Sequence, residues 1–264
     1  FGDSVMVTSL LSMSQPLSPV AQQSIDLHRR LHGKIRIETT TPIEALQDLT
    51  LVYTPGVGAV SSRIAEDPGE ADELTWRKNT VAIISDGSAV LGLGNIGPAA
   101  ALPVMEGKSA IFKRFANINA IPLVLNTQDV EELVTTISAL EPSFGAIQLE
   151  DISAPRCFEI EARLQERLKI PVMHDDQHGT AIVILAGLIN ALKVVGKRLE
   201  DVRVVLNGAG AAGVATAKLL KVAGMRSFVA VDRTGVIYAG REGLNQEKQW
   251  LAEMSTEVQP GQTL

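Results

Sequence analysis

Four carboxylates lie in two short stretches of the chain, each just after a strand-like apolar segment. They are Glu150, Asp151, Asp175 and Asp176. The carboxyl ends of parallel strands are where an α/β protein normally binds metal and substrate, and carboxylate oxygens suit Mg²⁺ or Mn²⁺. Spacing alone leaves an alternative open, because Asp is also common as a helix N-cap at strand-to-helix turns. The neighbouring His174 and His178 are more typical of supporting or capping residues than of metal ligands.

Lys108 and Tyr53 carry groups that can move protons. A lysine acts as a base near neutral pH only if burial or cationic neighbours lower its pKa, and the apolar segment 110–112 beside Lys108 is compatible with such burial. Most lysines are solvated, which is the alternative here. Tyr53 comes just before the turn at Pro55-Gly56, where its hydroxyl would face a cleft, although a half-buried core tyrosine is the simpler interpretation from residue type.

A glycine-rich stretch follows the predicted strand Val202–Leu206 and opens a predicted helix. Its glycines, in a G-x-G-x-x-G pattern, are Gly208, Gly210 and Gly213. Such glycines permit a tight turn and let a pyrophosphate approach the helix N-terminus, so the context favours dinucleotide binding over a merely structural turn. Asp232, at the end of the next strand, would bond a ribose 2′-hydroxyl, whereas Arg233 beside it would neutralise a 2′-phosphate. NAD and NADP therefore both stay open.

The same pattern occurs at Gly92–Gly97, which shows how weak the bare pattern is. The acid expected downstream is missing there, since Arg114 lies near its place, and Pro98 and Pro103 are expected to interrupt the following helix. A tight loop in a substrate domain is favoured over a second nucleotide site.

Strands and helices alternate along most of the chain. The predicted strands are Val81–Ser85, Ile121–Leu125, Gly145–Leu149, Val202–Leu206 and Phe228–Val231. The predicted helices are Gln22–Leu31, Pro42–Leu49 capped by Thr41, Val130–Leu140, Pro155–Leu168, Gly179–Val195 and Ala211–Ala223. This order predicts an α/β fold: a substrate- and metal-binding domain with a parallel sheet over residues 20–176, then part of a Rossmann-type dinucleotide-binding domain over 177–264. Residues 233–264 are polar and weakly periodic, so the second domain is expected to be incomplete.

Composition narrows the class of protein. The 264 residues are 45% hydrophobic with a net charge of −6 and scattered Lys and Arg, so nucleic acid is not an expected partner. A lone Cys157 fits a reducing, cytoplasmic setting, and residues 1–19 lack the features of a signal peptide. The apolar stretch Thr180–Val195 is broken by polar residues and is predicted to be a buried helix, so no membrane association is expected.

Five motifs together resemble the malic enzyme family in its shorter bacterial form, in the family's order from about Leu49 to Asp232. They are Tyr53–Val57, Leu91–Pro98, Glu106–Lys108, Leu149–Ile152 and His174–Ala181. The resemblance implies oxidative decarboxylation of (S)-malate to pyruvate and CO₂ with NAD(P)⁺ and a divalent cation. It also implies a homodimer or higher oligomer, in which one active site draws residues from both subunits.

The resemblance implies a role for each candidate residue. Lys108 corresponds to the general base and Tyr53 to the general acid, with Asp175 orienting the lysine. The metal ligands would be Glu150, Asp151 and Asp176.

Two departures and two alternatives accompany this interpretation. Ala89 stands where larger family members have an arginine that binds a malate carboxylate, and a chain ending at Leu264 is expected to lack full activity.

A related lyase, either an oxaloacetate decarboxylase or a malolactic-type enzyme, would use the same groups. A non-catalytic binding or oligomerisation remnant is the alternative from a different class.

Overall fold

A computed structural model describes residues 18–256 of the chain. The residues on which the signal-peptide expectation mainly rests, and the last eight, lie outside this range. Within the described range, the residues up to Glu38 form a compact unit of their own, and those from Thr39 onward form a second one. In the first unit, helix α1 spans Pro19–Leu31 and is capped by Ser18, whose side chain accepts a hydrogen bond from the Ala21 amide at 3.2 Å.

The second unit alternates strands and helices. The strands are β1 Thr80–Ser85, β2 Asn119–Val124, β3 Ala146–Leu149, β4 Val172–His174, β5 Arg203–Asn207, β6 Ser227–Asp232 and β7 Gly235–Val236. The helices are α2 Leu46–Val52, α3 Val57–Glu66, α4 Ala71–Leu74, α5 Pro98–Ala116, α6 Val130–Ala139, α7 Arg156–Arg167, α8 Asp175–Val194, α9 Ala211–Val222 and α10 Gln246–Met254. All five predicted strands are confirmed to within two residues.

The first sheet is parallel, in the order β2-β1-β3-β4, and is covered on both faces. Alternation along β1 produces the two faces: Ala82 and Ile84 belong to the core beneath α6 and α7, whereas Ile83 packs with Met105 of α5. The carboxyl ends of these strands meet at one edge, which places Glu150, after β3, near the end of β4.

The second sheet has the order β5-β6-β7. Strands β5 and β6 are parallel, and β7 returns antiparallel against the end of β6. Helix α9 covers the pair through Val214, Ala217 and Leu220, which pack with Phe228. The predicted fold class, a parallel sheet with helices followed by a Rossmann-type unit, is confirmed; the predicted boundary between residues 176 and 177 stays a prediction.

The helix predicted over Pro42–Leu49 with a Thr41 cap is wrong. The helix begins instead at Leu46, because the Asp48 carboxylate accepts hydrogen bonds from the backbone amides of Glu44 and Ala45 at 3.0 and 2.9 Å. A carboxylate within the first helical turn satisfies amides that otherwise have no partner.

Pro98 and Pro103 do not interrupt their helix, contrary to prediction. Pro98 stands in the first turn of α5, where a missing N–H costs nothing, and Pro103 removes a single backbone hydrogen bond. Packing of α5 on β1 and β2 holds the helix together over nineteen residues.

The expectation of a buried helix at Thr180–Val195 is also wrong. Helix α8 starts four residues earlier than the predicted Gly179, at Asp175, and buries only Gln177, Ala181 and Leu192. Val183 is 68% and Val194 is 87% accessible. Among the described residues, α8 is long and apolar enough to cross a membrane by length and composition alone. Its first turn carries two of the candidate carboxylates, and we therefore assign it to the α/β fold.

The stretch after Val231 is more ordered than its polarity predicted. The turn at Gly235 forms β7, and α10 follows with Asn245 as its N-cap, its side chain accepting from the Lys248 amide at 2.9 Å. Leu251 and Ala252 bury one side of α10, a pattern too short to be recognised as periodic.

Candidate active site

Three of the predicted carboxylates come together at the carboxyl edge of the first sheet. An oxygen from each of Glu150, Asp151 and Asp176 lies within 4.8 Å of the others. Glu150 and Asp151 are buried, and the Asp151 Oδ2 atom has no hydrogen-bond partner although it is inaccessible to solvent. A buried carboxylate oxygen without a donor is costly, and a hard divalent cation would satisfy it. The set therefore fits Mg²⁺ or Mn²⁺.

Burial and mutual repulsion perturb these carboxyl groups. Burial, together with the charges of Asp175 and Asp176, raises the pKa of Glu150 to about 7 against the opposing effect of Lys108. Burial and the charge of Asp176 raise the pKa of Asp151 to about 6. Both pKa values rise because several negative charges lie close together in a buried site. Strongly shifted pKa values of this kind are common at functional sites.

Lys108 lies between two of the acids. Its Nζ atom is 2.7 Å from Asp175 Oδ2 and 3.1 Å from Glu150 Oε1, and its side chain is 23% exposed. Burial alone would lower the pKa of Lys108. The hydrogen bond to Asp175 and the charge of Glu150 raise it by more, so the net shift is upward. Lys108 is partly buried, as its apolar neighbours allowed, but the lowered pKa that a base near neutral pH needs is not found in the protein without ligands.

The early start of α8 explains how Asp175 and Asp176 reach the site. Both lie in the first turn, where the helix dipole favours negative charge, and Asp176 Oδ2 accepts the backbone amide of Asp151 at 2.9 Å. Gly179 is required one turn later, because a methyl group there would overlap Asp175 Oδ1. The site thus couples the loop after β3 to the start of α8.

The glycine-rich loop after β1 closes over the same carboxylates. Leu91, held at a φ of 48°, directs its amide to the Asp151 carboxylate, and the Ala89 amide donates to the Asp151 carbonyl at 3.0 Å. Gly87 is needed where the loop folds back, since a side chain would overlap the Gly97 carbonyl. This segment is a loop, as predicted for the second glycine pattern.

Sequence reasoning missed Arg156 and Asp86, which anchor this loop. Arg156 Nη2 is 2.8 Å from Asp86 Oδ2, and the same nitrogen donates to Ser88 Oγ at 2.9 Å. Asp86 is fully buried at the end of β1. Its position directly after a predicted strand was the available signal.

Tyr53 is not brought to this cluster. It follows α2, which packs on α3, and the residue is 70% exposed. Among the described residues its hydroxyl makes no hydrogen bond, and it joins neither Lys108 nor the carboxylates. The alternative of a half-buried core tyrosine is wrong, and the role of Tyr53 as general acid stays a prediction.

The glycine turn after β5 has the geometry that a pyrophosphate requires. Gly208 adopts a φ of 117°, which side-chain-bearing residues rarely reach, and a methyl group at Gly213 would overlap the Gly208 carbonyl. Nothing lies within 4 Å of the place where a side chain at Gly210 would stand. The first and third glycines thus permit the tight turn, and the second leaves space at the N-terminus of α9.

Asp232 is already surrounded by protein donors. Arg241 Nη2 donates to both carboxylate oxygens at 2.8 Å, Lys248 Nζ is 2.7 Å from Oδ2, and Thr234 binds Oδ1 through its amide and hydroxyl. Burial raises the pKa of Asp232, but these donors outweigh it, so the net shift is well below the usual range. Arg241 and Lys248 were missed by sequence reasoning, and Arg233 is exposed beside them.

The two histidines support the site without joining the carboxylate cluster. His174 is fully buried, with its Nε2 atom 3.3 Å from Asp176 Oδ2, and burial lowers its pKa. His178 Nε2 is 2.8 Å from Glu161 Oε1. Glu161, on the buried side of α7, was not singled out in the sequence.

Together, the fold and these residues define an α/β protein with a dinucleotide-type glycine turn and a separate cluster of acids around a lysine. Comparison with known families agrees. The Malic enzyme, N-terminal domain family matches residues 32–165, and the Malic enzyme, NAD binding domain family matches residues 177–263. The chain belongs to the malic enzyme family.

Individual relatives support the same placement. An NAD-dependent malic enzyme of Geobacillus stearothermophilus is 56% identical over 84% of this chain and 47% of its own length. An NADP-dependent malic enzyme of Halomonas elongata is 51% identical over 88% of this chain and 56% of its own length. The crystal structure of an NAD-dependent malic enzyme from Thermotoga maritima superposes with a TM-score of 0.86 at 48% identity, covering 89% of this chain and 63% of that one. The chain spans about half the length of the relatives it matches.

Proposed function

We propose that the protein takes part in the oxidative decarboxylation of (S)-malate to pyruvate and CO₂ with NAD⁺ or NADP⁺ and a divalent cation. The observation that carries this proposal is the placement of Lys108 between Asp175 and Glu150, beside the three carboxylates that fit a metal. A base next to a cluster of hard oxygen ligands suits the removal of a proton from a 2-hydroxy acid. The names of the relatives point to the same reaction.

Glu150, Asp151 and Asp176 would hold Mg²⁺ or Mn²⁺, and the turn from Gly208 to Gly213 would receive the coenzyme pyrophosphate. When bound, these groups would supply a Lewis acid that neutralises the carboxylates and polarises the C2 oxygen, and a hydride acceptor. The unpartnered Asp151 oxygen and the open space at Gly210 support these assignments.

The chain's own residues would then move the protons. Lys108 Nζ takes the proton of the C2 hydroxyl as hydride leaves C2, and Asp175, 2.7 Å away, holds the amine in place. Decarboxylation of the resulting 3-carboxyl ketone leaves a carbanion equivalent at C3. The Tyr53 hydroxyl donates a proton there, which completes pyruvate.

The exposure of Tyr53 leads to a proposal about assembly. Because this side chain lies 70% exposed and does not reach Lys108 within the chain, we propose that Tyr53 of a second copy completes the site in a homo-oligomer. A twofold assembly would create two identical shared sites. The lone, buried Cys157 supports a cytoplasmic location, which also stays a proposal.

The test is NAD(P)H formation from (S)-malate with Mn²⁺. It would be run on the chain itself and on a chimaera that continues after Leu264 with the C-terminal part of one of the relatives named above. Reduced coenzyme together with pyruvate supports the proposal. Lactate or coenzyme-independent pyruvate from oxaloacetate, without reduced coenzyme, would instead indicate the lyase alternatives. No turnover in folded chimaera would overturn the proposal.

A further inference from the structure

Glu161 lies where an apolar residue would be expected. Helix α7 buries Cys157, Ile160, Glu161 and Leu164, a spacing of three and four residues that defines its core-facing side. Glu161 is only 6% exposed. A buried carboxylate is expensive unless several donors satisfy it, so its surroundings show what it is there for.

All the donors around Glu161 come from the first turn of α8 and the residue before it. Oε1 accepts the backbone amide of His174 at 2.8 Å, and His178 Nε2 lies 2.8 Å from Oε1 and 3.0 Å from Oε2. Oε2 accepts Gln177 Nε2 at 2.9 Å. No other protein donor to this carboxylate is found in the part of the chain that the structure describes.

These anchor points bracket the two acids that serve the candidate active site. His174 precedes Asp175 and Asp176, and Gln177 and His178 follow them. On the opposite side, Asp175 pairs with Lys108 and Asp176 accepts the Asp151 amide. The strand-to-helix junction therefore contacts α7 on one side and faces the carboxylate cluster on the other.

We propose that Glu161 is a positioning residue that fixes the first turn of α8, and through it the orientation of Asp175 and Asp176. The inference rests on the proposed function only in naming the cluster as a metal site. Residues that hold the ligands of a metal site in place typically change metal affinity or activity about 10- to 100-fold when they are replaced. Glu161 has such a role without touching the cluster itself.

The primary test compares Glu161→Gln with Glu159→Gln, a matched control on the exposed side of the same helix. Mn²⁺ affinity is measured by calorimetry, and amide hydrogen exchange is followed in a peptide covering residues 172–180. Glu161→Gln is expected to weaken Mn²⁺ binding about 10-fold or more and to speed exchange in this peptide, whereas Glu159→Gln leaves both unchanged. A general loss of stability alone would not lower the affinity of the folded fraction.

A double variant that exchanges the two side chains tests whether Mn²⁺ affinity can be restored. In Glu161→Gln/Gln177→Glu the carboxylate and carboxamide exchange places, so the contact between α7 and α8 can re-form. Partial recovery of Mn²⁺ affinity supports the proposal, and non-additivity of the two changes measures their coupling. If Glu161→Gln does not fold, Gln177→Ala and His178→Ala, each of which removes one contact, are read by the same two measurements.

The outcomes separate this inference from the proposed function. If the wild type binds Mn²⁺ and Glu161→Gln binds it equally well, the positioning role is overturned while the metal site stands. If the wild type does not bind Mn²⁺, the metal site fails, and hydrogen exchange alone decides the role of Glu161. Unchanged exchange in residues 172–180 would then overturn it.

Discussion

The Lys108 Nζ atom lies 2.7 Å from Asp175 Oδ2, which joins the middle of α5 to the first turn of α8. The contact brings together residues separated by 67 positions, and Gly179 leaves room for it. It holds the amine beside Glu150 and so fixes the proposed base relative to the candidate metal ligands.

Replacing Lys108 distinguishes the proposed base from the metal-binding function of the site. Lys108→Ala should lower kcat about 10²-fold or more, the usual contribution of a positioned acid–base group, with little change in Mn²⁺ affinity. Steady-state kinetics and calorimetry on the active protein check this. Lys113→Ala, at an exposed lysine of the same helix, is the control. An unchanged kcat in Lys108→Ala would contradict the assignment.

Hybrid oligomers test the location of the proposed general acid, Tyr53. Tyr53→Phe and Lys108→Ala should each be nearly inactive in pyruvate formation, yet co-expression should recover about a quarter of the activity, because half of randomly mixed dimers have one intact shared site. If both residues come from the same subunit, mixing recovers nothing. Tyr53→Phe alone should still form reduced coenzyme in a single turnover.

The buried acids predict a pH-dependent stability in the absence of metal. The folded-state pKa of Glu150 rises from 4.5 to about 7, so the native state binds more protons than the unfolded state across this interval. Stabilisation from the neutral carboxyl is present below pH 4.5 and is lost as the pH rises through about 7. Each pKa unit corresponds to about 1.4 kcal/mol.

Urea unfolding in EDTA at pH 5 and pH 8 measures this effect. Glu150→Gln, which stays neutral, should flatten the decline in the free energy of unfolding between the two values. Glu159→Gln, at an exposed glutamate, should retain the wild-type slope. An unchanged slope in Glu150→Gln would show that this group does not titrate as described.

Coenzyme selection should depend on Arg233. The carboxylate of Asp232 is paired with Arg241 and Lys248, whereas Arg233 is exposed beside it and is the cation that we propose to contact a 2′-phosphate. Arg233→Gln should raise the KM for NADP⁺ roughly fivefold, a magnitude typical of an exposed ionic contact, and leave that for NAD⁺ unchanged. Initial-rate measurements with NAD⁺ and NADP⁺ test this prediction, with Arg226→Gln as the control. Equal changes in the two KM values would refute the role of Arg233.

The secondary-structure elements and the acids of the site could be predicted from the sequence, whereas the residues that hold those acids in place could not. Strand alternation and the residue types of Glu150, Asp151 and Asp176 are local properties, and they sufficed to place these acids at one sheet edge. Asp232 looked available because its partner Arg241 lies beyond a turn whose geometry cannot be read from residue types. Glu161 was missed since a single charged residue in a helical pattern gives no indication of which side is buried.

Two properties of the site that the sequence did not reveal share a physical origin. The start of α8 and the pKa of Lys108 both depend on where the acids lie in space, and neither is fixed by neighbours in sequence. The predicted start was Gly179, but the helix begins at Asp175, where Lys108 pairs with Asp175 and the Asp151 amide donates to Asp176. Contacts between residues distant in the sequence therefore determine both the start of α8 and the pKa of Lys108.

Mn²⁺ titration of the chain, followed by calorimetry at pH 8, tests the central claim most directly, because all three candidate ligands lie within the described residues. The wild type is predicted to bind one ion, and Asp151→Asn and Asp176→Asn to lose that binding, while Glu159→Gln retains it. Absence of binding in the folded wild type, or equal binding by all four proteins, would contradict the account.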